Sequence, residues 1–156
     1  MEIKYVSKSG RVYSAGNEIL KYRIRFPSVA ECDKISRFYL EIAQSCESFC
    51  NESFGEQYAT RAVYRFDCVA THNADGILSF IKRAELFCNG VREKSFFGAN
   101  SWDISRQAMI LPSVLVKKYA SKGVKIKKND RVFLKDGELC LLSRTDIDSI
   151  FEKKRR

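Results

Sequence analysis

This chain has one histidine, His72. Any Cys–His or Ser–His–Asp site would have to be assembled around that residue. Its surroundings, His72-Asn73-Ala74-Asp75-Gly76, have turn composition, and a surface turn residue is the reading they support. There is no GxGxxG and no P-loop, so the two common Gly-rich phosphate cradles are excluded, and the glycines mostly punctuate turns. No two cysteines stand in a CxxC pair, which removes the usual zinc framework. The carboxylates are scattered, and no acid pair for glycoside chemistry separates itself from the rest. No stretch approaches the ~20 apolar residues of a membrane span. The start, Met1-Glu2-Ile3-Lys4-Tyr5, carries no apolar signal core. Internal repeats, low-complexity tracts and linkers are also missing. Together these absences predict a cytoplasmic, non-catalytic chain with no metal and no cofactor.

What is present describes a well-filled domain. At 156 residues, 45% hydrophobic and 12% aromatic, the chain is long enough to bury a core and too apolar for intrinsic disorder. The simplest division is one domain over 1–152 with a basic tail at 153–156. Cys32, Cys46, Cys50, Cys68, Cys88 and Cys140 read as free thiols packed as small hydrophobes in a reducing compartment. Cys46 and Cys50 lie one helical turn apart, the spacing a soft metal would need.

The strongest local signal is a long amphipathic helix over Val29–Phe54. Ser28, behind Pro27, and Glu31 form a capping box; Gly55 is the stop. Val29, Cys32, Ile35, Tyr39, Ile42, Cys46 and Phe49 recur every three or four residues as a buried stripe. Such a helix would be about 39 Å long, enough to cross a sheet.

The rest reads mainly as strands. Ile3–Val6 is one candidate, followed by a turn at Ser7-Lys8-Ser9-Gly10. Leu20, Tyr22, Ile24 and Phe26 alternate with Lys21, Arg23 and Arg25, a half-buried strand. Tyr64–Ala70, Ile77–Cys88 and Lys94–Ile104 follow, joined by short turns into an antiparallel meander. Pro112 opens a short helix toward Ser121, with Gly123 as its stop. Val132–Leu134 and Leu139–Leu141 flank Asp136-Gly137 as a hairpin. Asp146 and Asp148 read as turn or cap residues. The fold class is therefore α+β: a long amphipathic helix packed on an antiparallel meander sheet, with a short second helix and a C-terminal hairpin.

Charge is uneven along the chain. Residues 117–156 hold 13 Lys+Arg against 6 Asp+Glu, so +7 of the net +9 lies there. Lys117, Lys118, Lys122, Lys125, Lys127 and Lys128 form a cluster that could attract a polyanion. Lys153, Lys154, Arg155 and Arg156 form a second cluster, on a frayed tail. Phe96, Phe97, Asn100 and Trp102 mix aromatics with polar residues, and are the candidate ligand-binding or base-stacking set.

The order of parts resembles the domain of unknown function found in the anti-sigma factor RsiV and the deacetylase PdaC. The resemblance is carried by Asp75-Gly76-Ile77-Leu78-Ser79-Phe80, Asn100-Ser101-Trp102-Asp103-Ile104, Ile110-Leu111-Pro112-Ser113-Val114-Leu115 and Val132-Phe133-Leu134-Lys135-Asp136-Gly137-Glu138-Leu139. It departs from that pattern at Cys88-Asn89-Gly90-Val91-Arg92 and at Ser105-Arg106. The resemblance implies a helix on an antiparallel sheet and, by its RsiV member, a protein-binding sensor. The functional expectation is a non-catalytic binding or sensor module for a protein or small ligand. The alternative is a sequence-tolerant nucleic-acid-binding protein using the basic C-terminal quarter.

Overall fold

The computed structural model describes residues 1–53, 61–120, 126–127 and 130–155. In chain order the elements are β1 (Ile3–Ser14), β2 (Asn17–Val29), α1 (Asp33–Ser48) with a π-helical turn at Phe49–Ser53, β3 (Ala62–Ala74), β4 (Ile77–Cys88) and β5 (Val91–Asp103). Then come β6 (Ala108–Met109), α2 (Pro112–Tyr119), β7 (Val132–Lys135), β8 (Glu138–Leu141) and α3 (Arg144–Arg155). Strands β1 to β6 pair in sequence order into one six-stranded sheet, and β7–β8 form a separate hairpin. Strand β1 is antiparallel to β2, but β2 is parallel to β3, so the sheet is mixed. The class is α+β. Helix α1 is the crossover that parallel pairing requires.

Four tight turns set the hairpin registers. Ala15-Gly16, Asp75-Gly76, Asn89-Gly90 and Asp136-Gly137 each have positive φ at both positions. This is the type I′ arrangement whose twist matches paired strands. The chain gathers into two compact units, and β3, β4 and β5 contribute residues to both.

The first unit comprises Glu2–Cys68 and Arg83–Phe96. Leu20, Tyr22, Ile24 and Phe26 are buried on one face of β2, and α1 packs on that strand. The helix buries Ile35, Tyr39 and Ala43. Each large apolar side chain so buried contributes about 1.5–3 kcal/mol. Several sequence expectations are corrected here. Ser28 is not a helix cap: it lies inside β2, opposite Lys4. Glu31 has φ 60, outside the helical region that a capping-box glutamate must occupy. Helix α1 begins at Asp33, after Cys32. The bend is fastened instead by the Ser36 hydroxyl, which accepts from the Val29 N–H at 2.8 Å and donates to the Val29 carbonyl at 3.0 Å. The buried stripe is Ile35, Tyr39, Ala43 and then Cys50, whereas Ile42 and Cys46 are half-buried and Phe49 is 43% exposed. The π-helical turn at Phe49–Ser53 changes the periodicity at this end. Phe54 and Gly55 lie outside the described residues. Ser7-Lys8-Ser9-Gly10 is not a turn either: it sits inside β1, paired with Tyr22–Arg25.

The second unit comprises Met1, Val69–Lys82 and Phe97–Arg156. Ile77, Leu115, Val132 and Leu134 form its apolar cluster, with Ile110, Tyr119 and Leu139 packed around them. Buried hydroxyls fasten the hairpin. Thr71 Oγ1 donates to the Leu134 carbonyl at 2.6 Å, and Ser79 Oγ accepts from the Leu134 N–H at 3.2 Å. Ser79 Oγ also lies 2.5 Å from Ser101 Oγ. His72 is corrected from a surface turn residue to a buried one on β3, 6% exposed. Its Nδ1 accepts from the Gly137 N–H at 3.0 Å, and its Nε2 lies 3.1 Å from the Ala74 carbonyl. Asp146 and Asp148, expected in a turn or cap, fall within α3, which buries Ile147, Ile150 and Phe151. That helix runs through Arg155, so Lys153, Lys154 and Arg155 lie within it.

Candidate functional site

Strand alternation separates the two sheet faces of the first unit. From Leu20 onward, even-numbered β2 residues face α1 and odd-numbered ones face away; the register skips Ile19, which puts Glu18 on the second face. The cross-strand register then groups the second set. Arg11, Ser9 and Ser7 of β1 stand opposite Lys21, Arg23 and Arg25 of β2, which stand beside Val63, Arg65 and Asp67 of β3. Side-chain contacts extend the face onto β4 and β5. Arg65 Nη2 donates to Glu85 Oε1 at 2.8 Å. Arg83 Nε lies 3.0 Å from the same oxygen, and Arg92 Nε lies 2.8 Å from Glu85 Oε2. Alternation along β5 adds Lys94 on the Arg92 side, and Phe96 follows on the same strand.

Three guanidiniums on one carboxylate leave this cluster with a formal charge of +2. Glu85 is 1% exposed and Arg83 4%, so both are held in a low-dielectric setting. Arg25 pairs with Asp67, itself 6% exposed, at 3.7 Å. The two acids are thus hidden, while Lys21, Arg23, Arg11 and Lys94 are exposed. Arg11 is engaged by Glu18 at 3.2 Å. Among the described strand residues placed on this face, Arg11, Lys21, Arg23, Arg25, Arg65, Arg83, Arg92 and Lys94 oppose Glu18, Asp67 and Glu85, or 8 − 3 = +5. Aromatic rings are interleaved with these cations. The Arg25 guanidinium lies 4.4 Å over Tyr5, and those of Arg65 and Arg92 lie 5.5 and 5.9 Å from the Phe87 ring centre.

Two smaller concavities accompany this surface. A groove of about 360 Å³ on the first unit is lined by Phe38, Ile42, Cys46, Phe49 and Tyr64. Burial pushes the Tyr64 hydroxyl above the usual phenol range, aided by its hydrogen bond with Cys46. Burial likewise pushes the Cys50 thiol up to about 12, with Cys46 and Glu47 adding to the effect. The second unit has a cleft of about 330 Å³ lined by Asp75, Asp103, Ile110, Leu115, Lys118 and Tyr119, among others. Asp103 accepts from the Ser105 hydroxyl at 2.7 Å and the Arg106 N–H at 3.2 Å. The first of these bonds is the larger influence, and together they hold its carboxyl below the ordinary range.

The residues singled out in the sequence scatter over these features. Phe96 is 52% exposed in the first unit. Phe97, Asn100 and Trp102 belong to the second. The Phe97 carbonyl accepts from the Arg131 guanidinium, Asn100 Nδ2 donates to Met109 Sδ at 3.5 Å, and Trp102 is buried. Lys117 and Lys118 are exposed in the last turn of α2, Lys118 at the cleft with its ammonium 5.5 Å over Tyr119. Lys127 is exposed, and Lys122, Lys125 and Lys128 lie outside the described residues. The arginine face is not visible as a unit in the sequence. Its signal is the period-two placement of Lys21, Arg23 and Arg25, then Arg65 and Asp67, then Arg83 and Glu85. Joining the three sets requires the strand order.

No family model and no curated protein matches the sequence. Solved structures do show similarity. One is a DUF3298 family protein from Pseudomonas aeruginosa PAO1, with a TM-score of 0.53 and 10% identity over 70% of this chain and 54% of that one. Another is a member of the same family from Bacteroides fragilis NCTC 9343, with a TM-score of 0.46 and 10% identity over 72% and 60%. The chain spans little more than half the length of the structures it matches. The neighbours thus belong to a domain family of unknown function, and at this identity the likeness speaks to fold alone. No helix among the described residues is long and apolar enough to cross a membrane.

Proposed function

We propose that this chain is a non-catalytic binding module, of the kind the RsiV/PdaC-type domain exemplifies, and that its contact surface is the arginine-bearing sheet face. The partner is anionic. One observation carries this reading: the face collects eight cations against three carboxylates, and the two acids nearest its middle, Asp67 and Glu85, are buried. Solvent therefore meets a positive surface, which concentrates anions and speeds their encounter. His72 supports a non-catalytic reading, because both its ring nitrogens are engaged by backbone groups. Retention on immobilised heparin at low salt tests the proposal. The double variant Lys21→Glu/Arg23→Glu should elute at distinctly lower salt than the wild type. Equal elution of the two would remove this face from the binding surface.

The cleft beside Lys118 supports a second reading, as a site for a small ligand. Its volume is within the range of small-molecule sites, and it sets Asp75, Asp103 and Lys118 around an apolar floor of Ile77, Ile110 and Leu115. Chemical-shift mapping against a fragment library would place ligands on Val114 and Leu115 if this reading holds, and elsewhere if it does not.

A further inference from the structure

We infer that the occupant of the arginine face is a single-stranded nucleic acid. This rests on the anionic-partner reading above and names its chemistry. Three features fit a single strand. The first is spacing. Lys21 and Arg23 are alternate residues of one strand and so stand about 6.7 Å apart, a repeat that suits an extended polyanion. The second is the set of flat surfaces. Arg25 lies over Tyr5, and Arg65 and Arg92 both lie near the Phe87 ring, so planar cations and rings are grouped before any ligand arrives. Unpaired bases stack on such guanidinium and aromatic planes. The third is Phe96, 52% exposed on β5, two residues beyond Lys94.

Competing occupants use less of what is there. An acidic peptide would neutralise the charge but leave the rings without a role. A duplex hides its base faces and is read in its grooves by a protruding helix or ribbon, which the interior strands of a sheet do not supply. The buried acids matter here as positioning groups. Asp67 and Glu85 fix Arg25, Arg65, Arg83 and Arg92, so less side-chain freedom is lost on binding than with unanchored lysines.

The test is fluorescence anisotropy on the whole chain at low salt. The probes are labelled oligothymidylate, oligouridylate, an annealed duplex, and poly-aspartate of matched charge. Single strands should bind at least about tenfold tighter than poly-aspartate, the scale of one stacked base. Phe96→Ala should weaken single-strand binding by roughly five- to a hundredfold and leave poly-aspartate unchanged. Arg23→Glu should flatten the dependence of log K on log salt by about 0.7 for each phosphate no longer neutralised. Both substitutions are at exposed positions, and circular dichroism checks that the variants remain folded. If poly-aspartate or the duplex binds as tightly as the single strands, or Phe96→Ala is silent toward the single strands, this inference fails while the anionic-partner reading stands. If neither heparin nor any probe is held, both fail.

Discussion

Gly10 and Tyr22 should behave as a coupled pair. They stand directly opposite each other on β1 and β2. Tyr22 is 9% exposed, and its hydroxyl donates to Glu47 of α1 at 3.3 Å. The ring lies across Gly10, so a methyl group there would sit 2.6 Å from Tyr22 Cε1 and overlap Cζ and Oη. Gly10→Ala must therefore displace a packed ring. Overpacking of that kind costs about 1–3 kcal/mol. Losing the hydrogen bond adds about 0.5–1.5 kcal/mol, at the low end because Glu47 is partly exposed. Against this, replacing glycine reduces unfolded-state freedom, which stabilises by about 0.4–1 kcal/mol. The net expectation is a loss of about 1–3 kcal/mol, read from urea unfolding followed by circular dichroism. In a Tyr22→Ala background the ring is gone and only the favourable term survives, so the same substitution should stabilise slightly. The sign reversal is the decisive feature. A Gly10→Ala effect of the same sign and size in both backgrounds would refute the argument.

Four further outcomes are expected. Glu85→Ala leaves Arg65, Arg83 and Arg92 without their shared carboxylate and should cost about 3–5 kcal/mol in urea unfolding; a neutral result would mean that the cluster is well solvated. Ser79→Ala removes the acceptor of the Leu134 N–H and the partner of Ser101, costing about 1–3 kcal/mol, with hydrogen exchange at Leu134 as a site-specific readout. Cys50, with its thiol pushed up to about 12, stays neutral where an ordinary thiol near 8.5 would ionise; it should resist iodoacetamide in the folded protein and react once unfolded, as peptide mapping would show. Its raised folded-state value means that its stabilising effect is complete below the unfolded value and fades as pH climbs toward 12. Asp103 has the opposite sign: its depressed value gives a contribution present above the unfolded value near 3.9 and lost as pH falls through the folded one. Ser105→Ala should raise the Asp103 value in an NMR titration, and an unchanged titration would show that the hydroxyl does not set it.

The turns and the central strands are legible in the sequence because their signals are local. Asn89-Gly90 and Asp136-Gly137 demand positive φ, and the structure places it there. Ile77–Cys88 is a strand with the expected ends, and Pro112 opens α2 as expected. Sequence and structure part where one local pattern fits two structures. Ser7-Lys8-Ser9-Gly10 has turn composition, yet Gly10 is selected by the Tyr22 ring across the ladder, a neighbour distant in sequence. Pro27-Ser28 followed by Glu31 reads as a capping box, yet β2 is continued to Val29 by pairing with Ile3 at the other end of the hairpin. Ile147, Ile150 and Phe151 carry the helical spacing of α3, but the segment is short and surrounded by charge, so its stripe does not stand out. The parallel pairing of β2 with β3 leaves no local mark at all, since it depends on where a crossover returns the chain.

Charge is where linear reading misleads most. Residues 1–116 hold 15 basic and 13 acidic side chains, nearly balanced, so the sequence directs attention to the C-terminal quarter. A strand sends alternate residues to opposite faces, and a sheet joins strands distant in sequence, so balance along the chain does not imply balance in space. In the first unit, Glu31, Asp33, Glu41, Glu47 and Glu52 lie on α1 and its ends, and Arg11, Arg23, Arg25, Arg65, Arg83 and Arg92 gather on the face turned away from that helix. Such a separation is costly unless something offsets the repulsion among neighbouring cations. Asp67 and Glu85 offset part of it from beneath, which leaves a face of +5 for an anion to neutralise from above. The stability of this unit should therefore rise when a polyanion is bound, by RT ln(1 + [L]/Kd), and the rise should be smaller in Lys21→Glu/Arg23→Glu at the same polyanion concentration. A polyanion that left the melting temperature of the wild type unchanged at concentrations well above its measured Kd would contradict the link between this surface and binding.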